Sequence, residues 1–175
     1  RPYTLSLHDA LPISWYGAEL IEFKRLGRSL FDTFVREVLH LPEGLRVGGF
    51  KEIRYVNDLR FLPQHLGILQ EFFPGAKLIL QTRAHAEVAK SGWWAQKDPK
   101  ELARHLRAAD AAFHSYRTGR ADCFHLDYAC YRQGPEALRP LFDFLDEPFD
   151  AGQVQAVLDT PLTHGKPGPT AKVEA

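Results

Sequence analysis

The sequence predicts an α/β domain in which a parallel sheet is flanked by helices, and three observations carry that expectation. Short apolar or alternating runs recur between longer segments of helical spacing, the alternation that strand–helix–strand crossovers demand. Residues 77–82, Lys-Leu-Ile-Leu-Gln-Thr, centre on an unbroken apolar run, Leu78-Ile79-Leu80, of the kind expected of a strand covered on both faces. Chain-breaking pairs such as Pro42 with Gly44 and Pro74 with Gly75 fall between these runs and not inside them.

The elements follow in order. Over residues 18–40, Leu26, Leu30, Phe31, Phe34, Val35, Val38 and Leu39 recur at i, i+3, i+4, i+7. Lys24, Arg25, Arg28, Asp32, Arg36 and Glu37 cover the rest of that helix. Residues 45–55 alternate and favour β structure, which predicts a strand and its exit. Helical spacing returns over 62–73. The apolar strand 77–82 comes next, then a helix over 84–95. A longer helix over 99–116 has Pro99 in its first turn, where the missing N–H costs nothing. Residues 123–128, Cys-Phe-His-Leu-Asp-Tyr, predict a third strand. Helices are expected over 135–145 and 151–158, and from Thr160 the chain is rich in Gly, Pro and Thr. Three strands are few for a sheet covered on two faces, so a first strand is expected to belong upstream of the natural sequence present.

At 175 residues with 45% hydrophobic content, the chain is the size of one domain and hides roughly two-thirds of its unfolded surface on folding. Lysine plus arginine, 22, equals aspartate plus glutamate, 22, which leaves no basic excess for general nucleic-acid binding. Cys123 and Cys130 make neither a disulfide framework nor a zinc spacing, and no metal site is expected. Apolar runs are too short for a transmembrane helix, so no membrane partner is expected and the cytoplasm is the default location. The chain has no methionine. Thr4-Leu5-Ser6-Leu7-His8-Asp9-Ala10-Leu11-Pro12-Ile13 matches the conceptual translation of a common sequencing adapter. Residues 1–13 are therefore expected to be non-native, residues 14–164 the α/β domain in partial form, and 165–175 a flexible tail.

Ligands of open parallel sheets bind beyond the carboxyl ends of the strands. That rule selects Lys51 with Glu52, Arg83, and Tyr128. Arg83 follows its strand directly, and Ser91 lies eight residues on. A guanidinium fork with a hydroxyl near a helix start suits a phosphate. An arginine paired with a surface carboxylate, and a serine bonded to its own backbone, are the plain alternatives.

Residues 73–83, Phe-Pro-Gly-Ala-Lys-Leu-Ile-Leu-Gln-Thr-Arg, followed by 87–94, Glu-Val-Ala-Lys-Ser-Gly-Trp-Trp, resemble the second signature of the sulfotransferases of bacterial type. There a strand ends in an arginine and a serine follows eight positions on. Gly49-Phe50-Lys51-Glu52-Ile53-Arg54-Tyr55 looks like the family's preceding strand. Phe124-His125-Leu126-Asp127-Tyr128 and the stretch from Leu138 to Asp150 look like the later strand and helix. The likeness runs from about Trp15 to His164; the Arg83/Ser91 segment is its specific part.

The resemblance implies a P-loop-NTPase-like parallel sheet whose first strand and phosphosulfate-binding loop are missing here. It implies a transfer of a sulfuryl group from 3'-phosphoadenosine-5'-phosphosulfate to a hydroxyl or amine of a small-molecule or carbohydrate acceptor, with no metal. Arg83 and Ser91 would hold the donor's 3'-phosphate, and Tyr128 would touch the adenine or 3'-phosphate side. Lys51 would meet the bridging oxygen or sulfuryl group, and Glu52 is the nearest candidate base. Trp93, Trp94, Trp15 and Tyr16 could line an acceptor pocket or belong to the core. Two features depart from the family. No Arg-Ser-Gly-Thr-like loop follows a strand, since Gly27-Arg28-Ser29 lies inside a helix pattern. His164-Gly165-Lys166-Pro167-Gly168 only loosely echoes the loop that covers the nucleotide. The chain is accordingly expected to be inactive alone. A non-catalytic nucleotide-binding relic stays open as a reading. So does a P-loop kinase-like phosphotransferase, which would need a glycine-rich GK[ST] loop upstream. Oligomeric state is not legible.

Overall fold

A computed structural model describes residues 20–161 of the chain. The expected non-native segment 1–13, Trp15, Tyr16, the tail 165–175 and the side chain of Trp93 lie outside the described residues. The fold is α/β with a small parallel sheet of two strands. Helices α1 (Phe23–Phe34) and α2 (Leu62–Phe72) precede strand β1 (Leu78–Thr82). A one-turn helix α3 (His85–Val88) and the long α4 (Pro99–Arg117) lead to strand β2 (Cys123–Asp127). Helices α5 (Arg139–Leu145) and α6 (Ala151–Leu158) follow.

The two strands pair parallel over their whole length, Leu78 opposite Cys123 through Thr82 opposite Asp127. Their alternating side chains build two cores. On one face Leu80 joins Leu62 and Leu66 of α2, with Phe113 and Tyr116 of α4 packed against them. On the other, Leu126 joins Leu138 and Val154, with Leu141, Phe142 and Leu158 around them. Helices lie on both sides of the sheet, but β1 is not covered on both faces as its sequence predicted: on the side opposite Leu80, Ile79 is 42% exposed and Gln81 is exposed too.

Local chemistry fixes the helix starts and the joints. The Asp98 carboxylate accepts from the Lys100 and Glu101 N–H groups and so caps α4, while Asp150 accepts from the Gln153 N–H at the start of α6. Gln70 at the end of α2 bonds Asp122 just before β2 and also accepts from the Tyr116 hydroxyl. This clasp sets the base of the sheet. Lys77 donates to the Phe144 carbonyl at 2.6 Å and pairs with Asp146, tying the start of β1 to the end of α5. Helix α1 rests on α2 through Phe31, stacked on Phe72 at 4.9 Å. Gly27 permits that contact, because a Cβ there would come within 2.4 Å of the Phe72 ring.

Two expectations need correction. Residues 45–53 form no strand; Val47, Phe50 and Ile53 are more than two-fifths exposed, and a single turn of 3₁₀-helix, Arg54–Asp58, follows. Alternation supplies a face but no partner ladder, and without cross-strand bonds an extended run is not a strand. The helix expected over 84–95 is broken. Helix α3 stops at Val88, Ser91 is extended (φ −109°, ψ 133°), and a 3₁₀ turn runs over Gly92–Gln96. Gly92 at φ +49° takes the left-handed conformation with which the following 3₁₀ turn opens. The helix expected over 18–40 runs on to Leu39, its last turn widened to a π-turn over Val35–Leu39, and 135–145 opens as 3₁₀, Pro135–Leu138, before α5.

Leu62, 1% exposed, is the most buried side chain of the first core. Leu62→Ala is expected to lower unfolding free energy by about 2–5 kcal/mol. Asp98→Ala should cost about 0.5–2 kcal/mol through the lost cap. Val157→Ala, at a position 73% exposed, should change it by less than about 0.5 kcal/mol. Urea unfolding curves of the three variants test that order.

Candidate functional site

The register of the sheet decides what meets at its carboxyl edge. Because Thr82 lies opposite Asp127, the next residues, Arg83 and Tyr128, leave the sheet side by side. The Arg83 guanidinium sits over the Tyr128 ring, 4.4 Å from its centroid. Tyr128 opens a 3₁₀ turn, Tyr128–Arg132, that the Asp127 side chain caps by accepting from the Ala129 N–H. The turn brings Arg132 back to the same ring, 5.7 Å from its centroid. Tyr131 packs edge-on against Tyr128 at 5.2 Å.

Both guanidiniums converge on one carboxylate. Arg83 Nε donates to Glu87 Oε2 at 2.8 Å, one helical turn ahead of it in α3. Arg132 forks the same group, Nη1 to Oε1 and Nη2 to Oε2, the latter at 2.9 Å. Arg132 first and Arg83 second hold the Glu87 carboxyl well down, to about 2. Sequence reasoning missed Glu87 and Arg132. The spacing of Arg83 and Glu87 at i, i+4 was a readable signal, whereas the approach of Arg132 depends on the strand register and has no local signature.

The other expected residues are placed apart from this cluster. Ser91 lies beyond the end of α3, and its hydroxyl donates to the Val88 carbonyl at 3.0 Å. Lys51 is exposed in the irregular segment before the Arg54–Asp58 turn. Glu52 accepts three bonds from Arg54, from its backbone N–H at 2.6 Å, Nε at 2.9 Å and Nη2 at 2.6 Å. The side chain of Arg54 above all, then its backbone N–H, holds Glu52 down to about 2. A carboxyl that low is a poor proton acceptor near neutral pH, where a base works best with a value close to the ambient pH.

On the α4 face of the sheet, a cavity of about 260 Å³ lies among Leu80, Thr82, Asp110, Phe113, His114, Arg117 and His125. The Thr82 hydroxyl and His125 Nε2 are 2.8 Å apart at its wall, and His85 Nε2 meets Asp110 at 2.7 Å. Trp94 lies against His105, ring centroids 6.1 Å apart. Among the described residues no group of three or more His, Cys, Asp or Glu is arranged to hold a metal ion. Among them, too, no helix is long and apolar enough to cross a membrane.

No family model matches the chain. Neither a curated protein nor a solved structure matches it. The chemistry of the site therefore rests on its own geometry: two positive forks on an aromatic face, closed by a carboxylate.

Glu52 and Glu87 are both held below their ordinary value of 4.5. Their pairing thus adds stability that is complete above about 4.5 and is lost as the pH falls from there towards 2. Carboxyl NMR titration should find both still ionised at pH ~3. Arg132→Ala should move the Glu87 midpoint upward, towards the ordinary value; an unmoved midpoint would remove Arg132 from its environment.

Proposed function

We propose that the chain carries the 3'-phosphate half of the donor site of a sulfotransferase, an enzyme moving a sulfuryl group from 3'-phosphoadenosine-5'-phosphosulfate to a hydroxyl or amine of a small-molecule or carbohydrate acceptor. The observation that carries the reading is the meeting of Arg83 with Tyr128 at the carboxyl edge of the paired strands, where parallel sheets take their ligands. An arginine leaving a strand and a serine eight positions on fit the sulfotransferase signature in type and spacing. On this reading the two strands are part of a larger P-loop-like sheet.

The residues contribute unequally. Arg83 supplies a guanidinium fork that matches phosphate oxygens. Ser91 already donates to a backbone carbonyl, so turning its hydroxyl to a phosphate exchanges one hydrogen bond for another at little net gain. Tyr128 acts as the platform for the guanidinium as much as for an adenine. In the transfer itself the acceptor oxygen bonds to sulfur as the sulfur–oxygen bond to the 5'-phosphate breaks; the electron pair stays on that phosphate and the acceptor's proton goes to a base. Lys51 keeps its role at the bridging oxygen on likeness alone. Glu52 serves as the base only when Arg54 releases it.

Calorimetric titration with adenosine 3',5'-bisphosphate, the product left by the donor, tests the reading. Binding is expected, and Arg83→Ala should weaken it by about 1.5–3 kcal/mol, the range for a hydrogen bond to a charged group. Absence of binding by the native chain would overturn the reading, and unchanged affinity in the variant would take Arg83 out of the site.

A further inference from the structure

We infer that Arg83 and Arg132 together form a two-guanidinium site for a phosphate monoester, and that the Glu87 carboxylate occupies it as an internal competitor which the ligand must displace. The inference rests on the donor-site reading and goes beyond it, since Arg132 lies outside the signature that suggested a 3'-phosphate and Glu87, although within that stretch, has no role there.

The geometry is that of an anion already bound. One carboxylate receives a bidentate fork from Arg132 and a further bond from Arg83, with Oε2 shared between the two guanidiniums. Two planar forks converging on a single small anion are the arrangement in which arginine recognises phosphate. Their separation is set by the Tyr128 face, against which both lie, and the Tyr131 ring braces Tyr128 from the side. Removing the carboxylate would therefore leave the two forks held at phosphate-binding spacing.

Charge and exposure give displacement its direction. The two guanidiniums carry two positive charges, which a dianionic phosphate in the place of the Glu87 carboxylate matches in full and the single carboxylate only by half. The Arg83, Glu87 and Arg132 side chains keep 34%, 30% and 58% of their surface exposed, so a ligand reaches them without opening the core. Glu87 sits on the one-turn helix α3, between the end of β1 and the extended Ser91. A change of its side-chain rotamer frees both arginines with no movement of either strand. Arg132 is thereby a binding residue, and Glu87 sets how strongly an anion must bind to enter.

Titrations with adenosine 3',5'-bisphosphate and, separately, with inorganic phosphate test this. Glu87→Gln, which keeps the side chain's shape, and Glu87→Ala, which removes it, should each tighten both ligands about tenfold, as expected for the loss of one charged competitor. Arg132→Ala should weaken both about tenfold or more, with Arg132→Lys recovering only part, because an ammonium cannot fork. If inorganic phosphate follows this pattern while the bisphosphate binds no better than phosphate, the two-arginine site stands and the sulfotransferase reading falls. If the bisphosphate binds in an Arg83-dependent way but the Glu87 and Arg132 variants leave its affinity unchanged, the donor-site reading stands and this inference is overturned. Weaker binding in both Glu87 variants would also overturn it, by making Glu87 a support for the arginines and not their competitor.

Discussion

The parallel pairing of Leu78–Thr82 with Cys123–Asp127 is the constraint on which the other features depend. It places Leu80 against the α2 and α4 side of the sheet and Leu126 against the α5 and α6 side, so that each strand nucleates a different core. It also makes Arg83 and Tyr128 neighbours. A slip of one residue would turn every strand side chain to the opposite face, and the guanidinium would lose its aromatic platform. The tie of Gln70 to Asp122 below the sheet and the tie of Lys77 to the end of α5 both act to hold that one register.

What could be read from the sequence followed the strength of the local signal. The strands 78–82 and 123–127 were legible because apolar β-favouring runs there are bounded by Pro74-Gly75 and Gly119, and the helices Pro99–Arg117 and Ala151–Leu158 because each is long or well capped. The run 45–55 has comparable alternation yet makes no strand, for whether a pleated segment is a strand depends on a partner that no local pattern reveals. Beyond Val88 the helical spacing continued in the sequence, but the chain leaves the helix there, is extended at Ser91 and turns again at Gly92 in the left-handed region. Of the site, Arg83 and Tyr128 were readable from position and likeness. Arg132 was not, because its place comes from a 3₁₀ turn hung on the end of β2.

Polar groups next to the sheet-edge cluster are likewise paired: His85 with Asp110, Thr82 with His125. Such satisfied pairs make the edge rigid and cheap to maintain, and they raise the threshold for any ligand, which must outcompete a protein group for each bond it makes. On the proposed reading this favours highly charged ligands, since a weakly charged one gains too little to break a fork.

The two strands are separated by forty residues that include a helix of nineteen, and this has a kinetic consequence. The closure entropy of so long a connection must be met before any bond of the ladder forms, and parallel pairings of this kind belong to the late, slow part of folding. Helix α4, nineteen residues long and capped by Asp98, has bonds and a cap that are all local in sequence. The guanidinium–tyrosine cluster is not local: it has no existence in a chain whose helices have formed and whose strands have not yet met. The cluster at this edge, and with it the proposed anion site, thus depends on the non-local step of folding, and its appearance in time marks the moment when the register closes.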